Sequence, residues 1–144
     1  VSELLFGFDE QIAAWVAERI PHVRGGSFGP CAAIGVISGD RLLAGVVFHA
    51  LQPDYQTMQL SMAAGSPMWA RRDIVAGLLH YAFEQNPVYS LNTVTPPENE
   101  AALKVNKHIG LQRKTIIPHY FGKKRHAVVC QMTKPEYLKA YAHG

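Results

Sequence analysis

A mixed α/β (α+β) domain is the fold class this sequence predicts, with helices flanking a mostly antiparallel central sheet that contains one parallel strand pair. Three observations lead there. Two branched apolar runs, 31–38 and 41–50, meet at Gly39-Asp40, a two-residue turn that joins antiparallel strands. Residues 71–85 carry Ile74, Val75, Leu78, Leu79, Ala82 and Phe83 on one stripe at helical spacing. That helix separates two strand-like runs, 57–64 and 89–95, and a helical crossover returns the chain parallel to the strand it left, right-handedly.

The first element is a helix over 9–20, because Ile12, Trp15, Val16 and Ile20 share a face and Pro21 ends it. Residues 22–30 hold Gly25, Gly26 and Gly29 and read as a flexible loop. After the hairpin, Gln52-Pro53-Asp54 turns the chain into 57–64, where Met58, Leu60 and Met62 alternate. The helix 71–85 and the strand 89–95 follow, the latter closed by Pro96-Pro97. Asn99 opens the next helix, since its side chain can accept a bond from an orphan backbone N–H. Gly110 closes that helix by taking the left-handed conformation without a Cβ clash. Strands over 113–118 and 125–132 and a short helix over 135–142 complete the order.

Composition bounds the function. A single domain over residues 1–144 buries roughly two-thirds of the surface its unfolded chain exposes. With 48% hydrophobic and 17% charged residues, the chain folds rather than remaining disordered. The longest apolar runs, 31–37 and 42–48, are strand-length, so no membrane span is expected. No charged-then-apolar leader opens the sequence, and the expected localisation is cytoplasmic. Cys31 and Cys130 lie in apolar runs without metal-ligand spacing and read as reduced core thiols, with no metal site. A formal charge of +3 tolerates anionic ligands without identifying one. The densest basic segment, Lys123-Lys124-Arg125-His126, has too few charges for a nucleic-acid surface and reads as a solvated hairpin tip.

The stretch 98–111, Glu-Asn-Glu-Ala-Ala-Leu-Lys-Val-Asn-Lys-His-Ile-Gly-Leu, carries the most specific pattern. An asparagine (Asn99) is followed by a small residue three on (Ala102), an apolar one six on (Val105), then Gly110-Leu111. This resembles the N-x-x-A…-G-F helix of the GCN5-related N-acetyltransferase (GNAT) superfamily, which lies against coenzyme A; Leu111 stands where Phe is usual. The element order matches that family over almost the whole chain, nearest the branch that includes the ribosomal-protein N-terminal acetyltransferases. The family's first strand then falls at 2–8, and the glycine loop replaces its usual second helix.

The resemblance implies a wedge between the central strand and its parallel neighbour, entered by acetyl-CoA, whose pantetheine arm pairs with the backbone of Met62, Ala63 and Ala64 and passes near Asn99. Small side chains there suit a thin ligand and tight packing equally. It also implies that the pyrophosphate sits at the N-terminus of the 71–85 helix, where free N–H groups and the helix dipole favour anions. The family marks this turn Q/R-x-x-G-x-G/A. Here Ala70, Asp73 and Val75 stand at the key positions, so the motif is largely lost. Arg71, Arg72, Asp73 and Ile74 form the turn. Asp73 opposes phosphate or merely caps the helix, while the two arginines offset the loss.

Both proton carriers common in the family are absent. Asn106 occupies the position of the usual tyrosine, and no Asp or Glu lies between Asp54 and Asp73, leaving Gln59 and Ser61 on the central strand. Replacements are Tyr120 as acid and His119 as base, at the end of a strand beside the wedge; the alternative is that both cover a sheet edge. His49 is a further candidate, His80 reads as structural, and His22 and His126 read as surface residues. Trp15 and Trp69 read as packing anchors, although Trp69 also stands where it could flank the cofactor.

The implied function is an acyl-CoA-dependent N-acyltransferase passing acetyl from acetyl-CoA to a primary amine, a small molecule or a protein N-terminus, by direct attack in a ternary complex. A homodimer is compatible with it. Because the acid and base are missing, an α-amine, which titrates near ~8, is favoured over a lysine side chain near ~10.4. The alternative is a non-catalytic GNAT-fold module that binds a partner or CoA without turnover.

Overall fold

Seven strands form one sheet in the spatial order β1-β2-β3-β4-β5-β7-β6. The computed structural model describes residues 2–23 and 26–141. In chain order the elements are β1 (Glu3–Leu5), α1 (Asp9–Arg19), β2 (Cys31–Ser38), β3 (Arg41–Gln52), β4 (Thr57–Ala64), a 3-10 turn (Pro67–Trp69), α2 (Arg72–Glu84), β5 (Ser90–Thr95), α3 (Glu100–Ile109), β6 (Gln112–Ile117), β7 (Ala127–Thr133) and α4 (Lys134–Ala140). Every neighbouring pair is antiparallel except β4 and β5. The predicted class and element order are those observed.

Differences lie at the ends. The first strand covers three residues rather than 2–8, because Gly7 takes a left-handed φ of +88° that breaks extended pairing before α1. The last strand begins at Ala127, not Arg125, since Arg125 N–H bonds Gly122 O within the hairpin tip. The closing helix starts at Lys134, one residue before Pro135, capped by Thr133 in a reciprocal box with Glu136. Of the residues expected in that helix, Ala142 lies outside the described residues, as does Gly25 of the glycine loop. Both cysteines are free thiols, Cys130 buried and Cys31 half-buried. Among the described residues no helix is long and apolar enough to cross a membrane.

Two apolar layers sandwich the sheet. On one face Ile34, Val36, Val46, Phe48, Met58 and Leu60 pack against the stripe of α2 and against Tyr137 of α4. On the other, α1 lays Ile12 and Val16 over Ala33 and Val47. The α1 contact depends on Gly45: a Cβ there would stand 2.5 Å from Val16 Cγ2 and 3.2 Å from Ile12 Cγ2. The start of α1 is tied down as well. The Asp9 carboxylate accepts the Ala33 N–H at 2.9 Å, a group beyond the last β1–β2 pair, Leu5 with Gly35.

Gly45→Ala should therefore cost about 1–3 kcal/mol, the usual penalty for overpacking. Gly77→Ala meets only the movable tip of Leu4 at 2.7 Å and gains helix propensity of about 1 kcal/mol, so it should be near neutral. Urea unfolding midpoints compare the two; equal losses would contradict the packing role given to Gly45.

Candidate active site

β4 and β5 part company early. Their parallel register consists of Thr57 with Ser90, Met58 with Leu91 and Gln59 with Asn92. Beyond that point β4 keeps its β3 partners through Ala64, and β5 keeps its β7 partners through Thr95. The facing edges over 60–64 and 93–95 therefore lack strand partners among the described residues. The splayed parallel pair expected from the sequence is present, and Met62, Ala63 and Ala64 lie on its open arm.

On the α1 face of this split lies a cavity of about 180 Å³ lined by His22, Ser27, Phe28, His49, Gln59, Ser61, Val94, Tyr120 and Phe121, with Val23. Period-two alternation puts Gln59 and Ser61 on this face of β4, opposite the buried Met58 and Leu60. His49 stands opposite Gln59 on β3, and its Nε2 is 2.8 Å from the Ser61 hydroxyl. A bulge follows at once, with Ala50 at φ +53°, and bulges re-aim the side chains beside them. Phe28 packs on the His49 ring at 4.9 Å between centroids, and His22 on Phe121 at 4.4 Å. Burial, with repulsion from His22, pushes His49 down to about 4. Burial and then Arg125 lower His22 as well. The site thus holds neutral imidazoles and aromatic rings around a few hydroxyl and amide groups.

The hairpin tip separates the two proposed proton carriers. Tyr120 lines the cavity. His119 does not: its Nδ1 accepts the Lys124 N–H at 2.8 Å, its own N–H goes to His126 Nδ1 at 3.0 Å, and its φ is +59°. The His119 ring therefore builds the turn that carries Tyr120. His22 is exposed, as read from sequence, and also lines the rim of the cavity, where its ring packs on Phe121 of the hairpin. His126 is half-buried. His80 is exposed and pairs with Glu84 at 3.1 Å.

A second cleft, of about 450 Å³, opens at the N-terminus of α2 and is lined by Pro67, Met68, Ala70, Arg71, Arg72, Val75, His108 and Tyr141. Asp73 does not cap the helix: its carboxylate accepts from the Arg71 guanidinium at 3.1 Å, and no side chain caps α2. Among the described residues the first-turn N–H groups, including those of Asp73 and Ile74, have no partner. The Arg72 guanidinium donates to Ala140 O and lies over the Tyr141 ring, so one of the two arginines is held by the C-terminal tail. His108 Nε2, 2.9 Å from Ala70 O, ties α3 to this turn. Trp69, which precedes it, is buried in the core.

The α3 signature behaves as its pattern predicts. Asn99 accepts the Ala102 N–H at 3.2 Å, and Gly110 ends the helix at φ +112°. Asn106 is buried and reaches Thr95 Oγ1, fastening α3 to β5 rather than facing the cavity.

A scan against protein-family models and a search of curated proteins found no match. Solved structures do match in fold. A chimera of the Vibrio cholerae spermidine N-acetyltransferase SpeG and hSSAT superposes with a TM-score of 0.72 at 11% identity, covering 96% of this chain and 98% of that one. Spermidine N-acetyltransferase from Vibrio cholerae in complex with CoA and spermine gives 0.63 at 13% identity, over 82% and 72%. A Vibrio cholerae protein assigned as a ribosomal-protein-serine acetyltransferase gives 0.62 at 18%, over 72% of this chain and 64% of that one, so this chain spans a little under two-thirds of its length. The fold is that of the GNAT acetyltransferases.

The half-buried His49 imidazole sets a pH dependence. The unfolded chain takes up a proton at His49 below its ordinary value of 6.5, whereas the folded protein resists until about 4. Stability is thus complete above 6.5 and falls as pH drops through that window. His22 adds in the same direction, so His49→Gln should flatten the decline in Tm between pH 7 and 4.5 without abolishing it. An unchanged slope would contradict a half-buried, neutral His49.

Proposed function

We propose that this protein is an N-acyltransferase that uses acetyl-CoA, with an amine acceptor in the His49–Tyr120 cavity. The observation that carries the reading is the parting of β4 and β5 after Gln59 and Asn92, with a cavity on one face of the split and an open helix N-terminus beyond β4. A pantetheine arm needs extended backbone with free hydrogen-bonding groups, and 60–64 offers it. A pyrophosphate needs N–H groups and cations: the backbone of Arg72, Asp73 and Ile74 offers the first and the Arg71 guanidinium the second, with the Asp73 carboxylate, now paired with Arg71, in opposition. That the similar folds belong to acetyltransferases, one of them bound to CoA and spermine, supports the same reading.

Bound there, acetyl-CoA supplies a thioester whose carbonyl carbon bonds to the acceptor nitrogen as the C–S bond breaks. The chain's own groups manage the protons. Ser61 Oγ takes the N–H proton of the adduct while passing its own to His49 Nε2, 2.8 Å away. A weakly basic imidazole suits that step, because the adduct nitrogen is far more acidic than a free ammonium. The Tyr120 hydroxyl gives its proton to the departing thiolate. His119 holds the turn under Tyr120.

Acetyl-CoA should raise the Tm with the logarithm of its concentration once that exceeds Kd, and thiol release should follow on adding an amine. Stabilisation without thiol release from any amine would favour the non-catalytic binding module. Tyr120→Phe should lower kcat while leaving CoA affinity nearly unchanged, since only a transition-state contact is lost. Equal turnover would return Tyr120 to packing.

The phosphate turn has its own test. Asp73→Gly should tighten CoA binding measured by calorimetry, and Arg71→Ala should weaken it, more at low salt than high. Unchanged affinity in both would place the phosphates elsewhere.

A further inference from the structure

We infer that the acceptor is a compact, weakly basic amine on a single aromatic or branched apolar body, and neither a polyamine nor a lysine side chain. The inference rests on the acyltransferase reading and deepens it.

Three features of the cavity argue for this class. The first is its walls: Phe28, Tyr120, Phe121 and Val94, with the rings of His22 and His49, surround the space. Stacked and edge-on rings of this kind hold a flat apolar body. The second is size. The cavity is open to solvent on one side, and its volume of about 180 Å³, close to the ~150 Å³ apolar cavity that accommodates benzene, has room for one ring with a short arm. A long linear chain would leave most of itself outside.

The third feature is charge. No carboxylate lines the cavity, and none of the residues outside the described ones is acidic. Ser27, Ser61 and Gln59 give hydroxyl and amide groups that can bond an uncharged amine but cannot neutralise an ammonium. Arg125 adds positive charge near His22. A polyamine's further ammonium groups find no counter-ion in this lining and would have to stay outside it, so the cavity gains nothing from them. Desolvation beside His49 disfavours the charged form of an amine bound there too, and so favours its free base. An amine that sheds its proton easily in water meets the smallest penalty. The Vibrio cholerae enzyme whose structure contains spermine shares the fold, and the lining described here argues that this chain does not share that ligand.

The test is thiol release from acetyl-CoA with phenylalaninamide, benzylamine, spermidine and a lysine-containing acetyl-capped peptide as acceptors. The expected result is kcat/KM for phenylalaninamide at least tenfold above spermidine and the peptide, with benzylamine between. A preference for spermidine or the peptide would overturn the inference while leaving the acyltransferase reading intact. No thiol release with any amine would overturn that reading itself. Gln59→Glu, nearly isosteric, places a carboxylate in the cavity. It should raise spermidine relative to phenylalaninamide at least fivefold in a protein whose Tm shows it folded. An unchanged ratio would overturn the charge argument, and Phe28→Ala, expected to raise KM for phenylalaninamide more than for spermidine, tests the apolar wall independently.

Discussion

The interaction on which the site depends is one that stops: the backbone pairing of β4 with β5. Three residue pairs join these strands, and then each follows its other neighbour. Buried backbone groups almost always find partners, so an open edge in the middle of a seven-stranded sheet needs water or a ligand there. The two facing edges, 60–64 and 93–95, are an extended template of the kind an amide-bearing chain can pair with. The same parting leaves room on the α1 face for the cavity that Ser61, Gln59 and Val94 enter from opposite sides.

What holds the gap open is the separate bracing of the two half-sheets. On the β1–β4 side, α1 rests on the bare backbone of Gly45, and Asp9 locks its start to β2. On the β5–β7–β6 side, Asn106 fastens α3 to Thr95, while Asn92 accepts a bond from Gln131 across β5 and β7 at 2.9 Å. The helical layer joins the halves: Tyr137 of α4 stacks on Phe83 and donates to Glu84 of α2, and His108 of α3 meets the turn before α2. The parting is therefore a consequence of packing on both sides, not of one weak strand.

Much of this was legible in the residues. Helix stripes, the Gly39-Asp40 turn, the Asn99 start and the Gly110 stop are local signals, each a property of a few neighbours in sequence, and they located nearly every element. The parallel pair followed from the crossover helix. The cavity was less legible, because its lining comes from the 22–28 loop, β3, β4, β5 and the hairpin, and no spacing links His22 or Phe28 to Val94. His49 was a candidate only as a polar residue ending an apolar strand, and its burial against Ser61 depends on the β3–β4 register and on the bulge at Ala50. The 118–126 tip misled most: His119 and Tyr120 are adjacent, but a left-handed backbone at His119 turns one ring into the loop and leaves the other at the cavity. Strain of that kind has no signature in hydrophobic period.

If acetyl-CoA completes the sheet where β4 and β5 part, an NMR titration of the ¹⁵N-labelled chain with acetyl-CoA will show saturable amide shifts concentrated at 60–64, 93–95 and the first turn of α2, with β1, β2 and the body of α4 unmoved. Saturation with those amides unshifted, or with the shifts gathered on another surface, would contradict it.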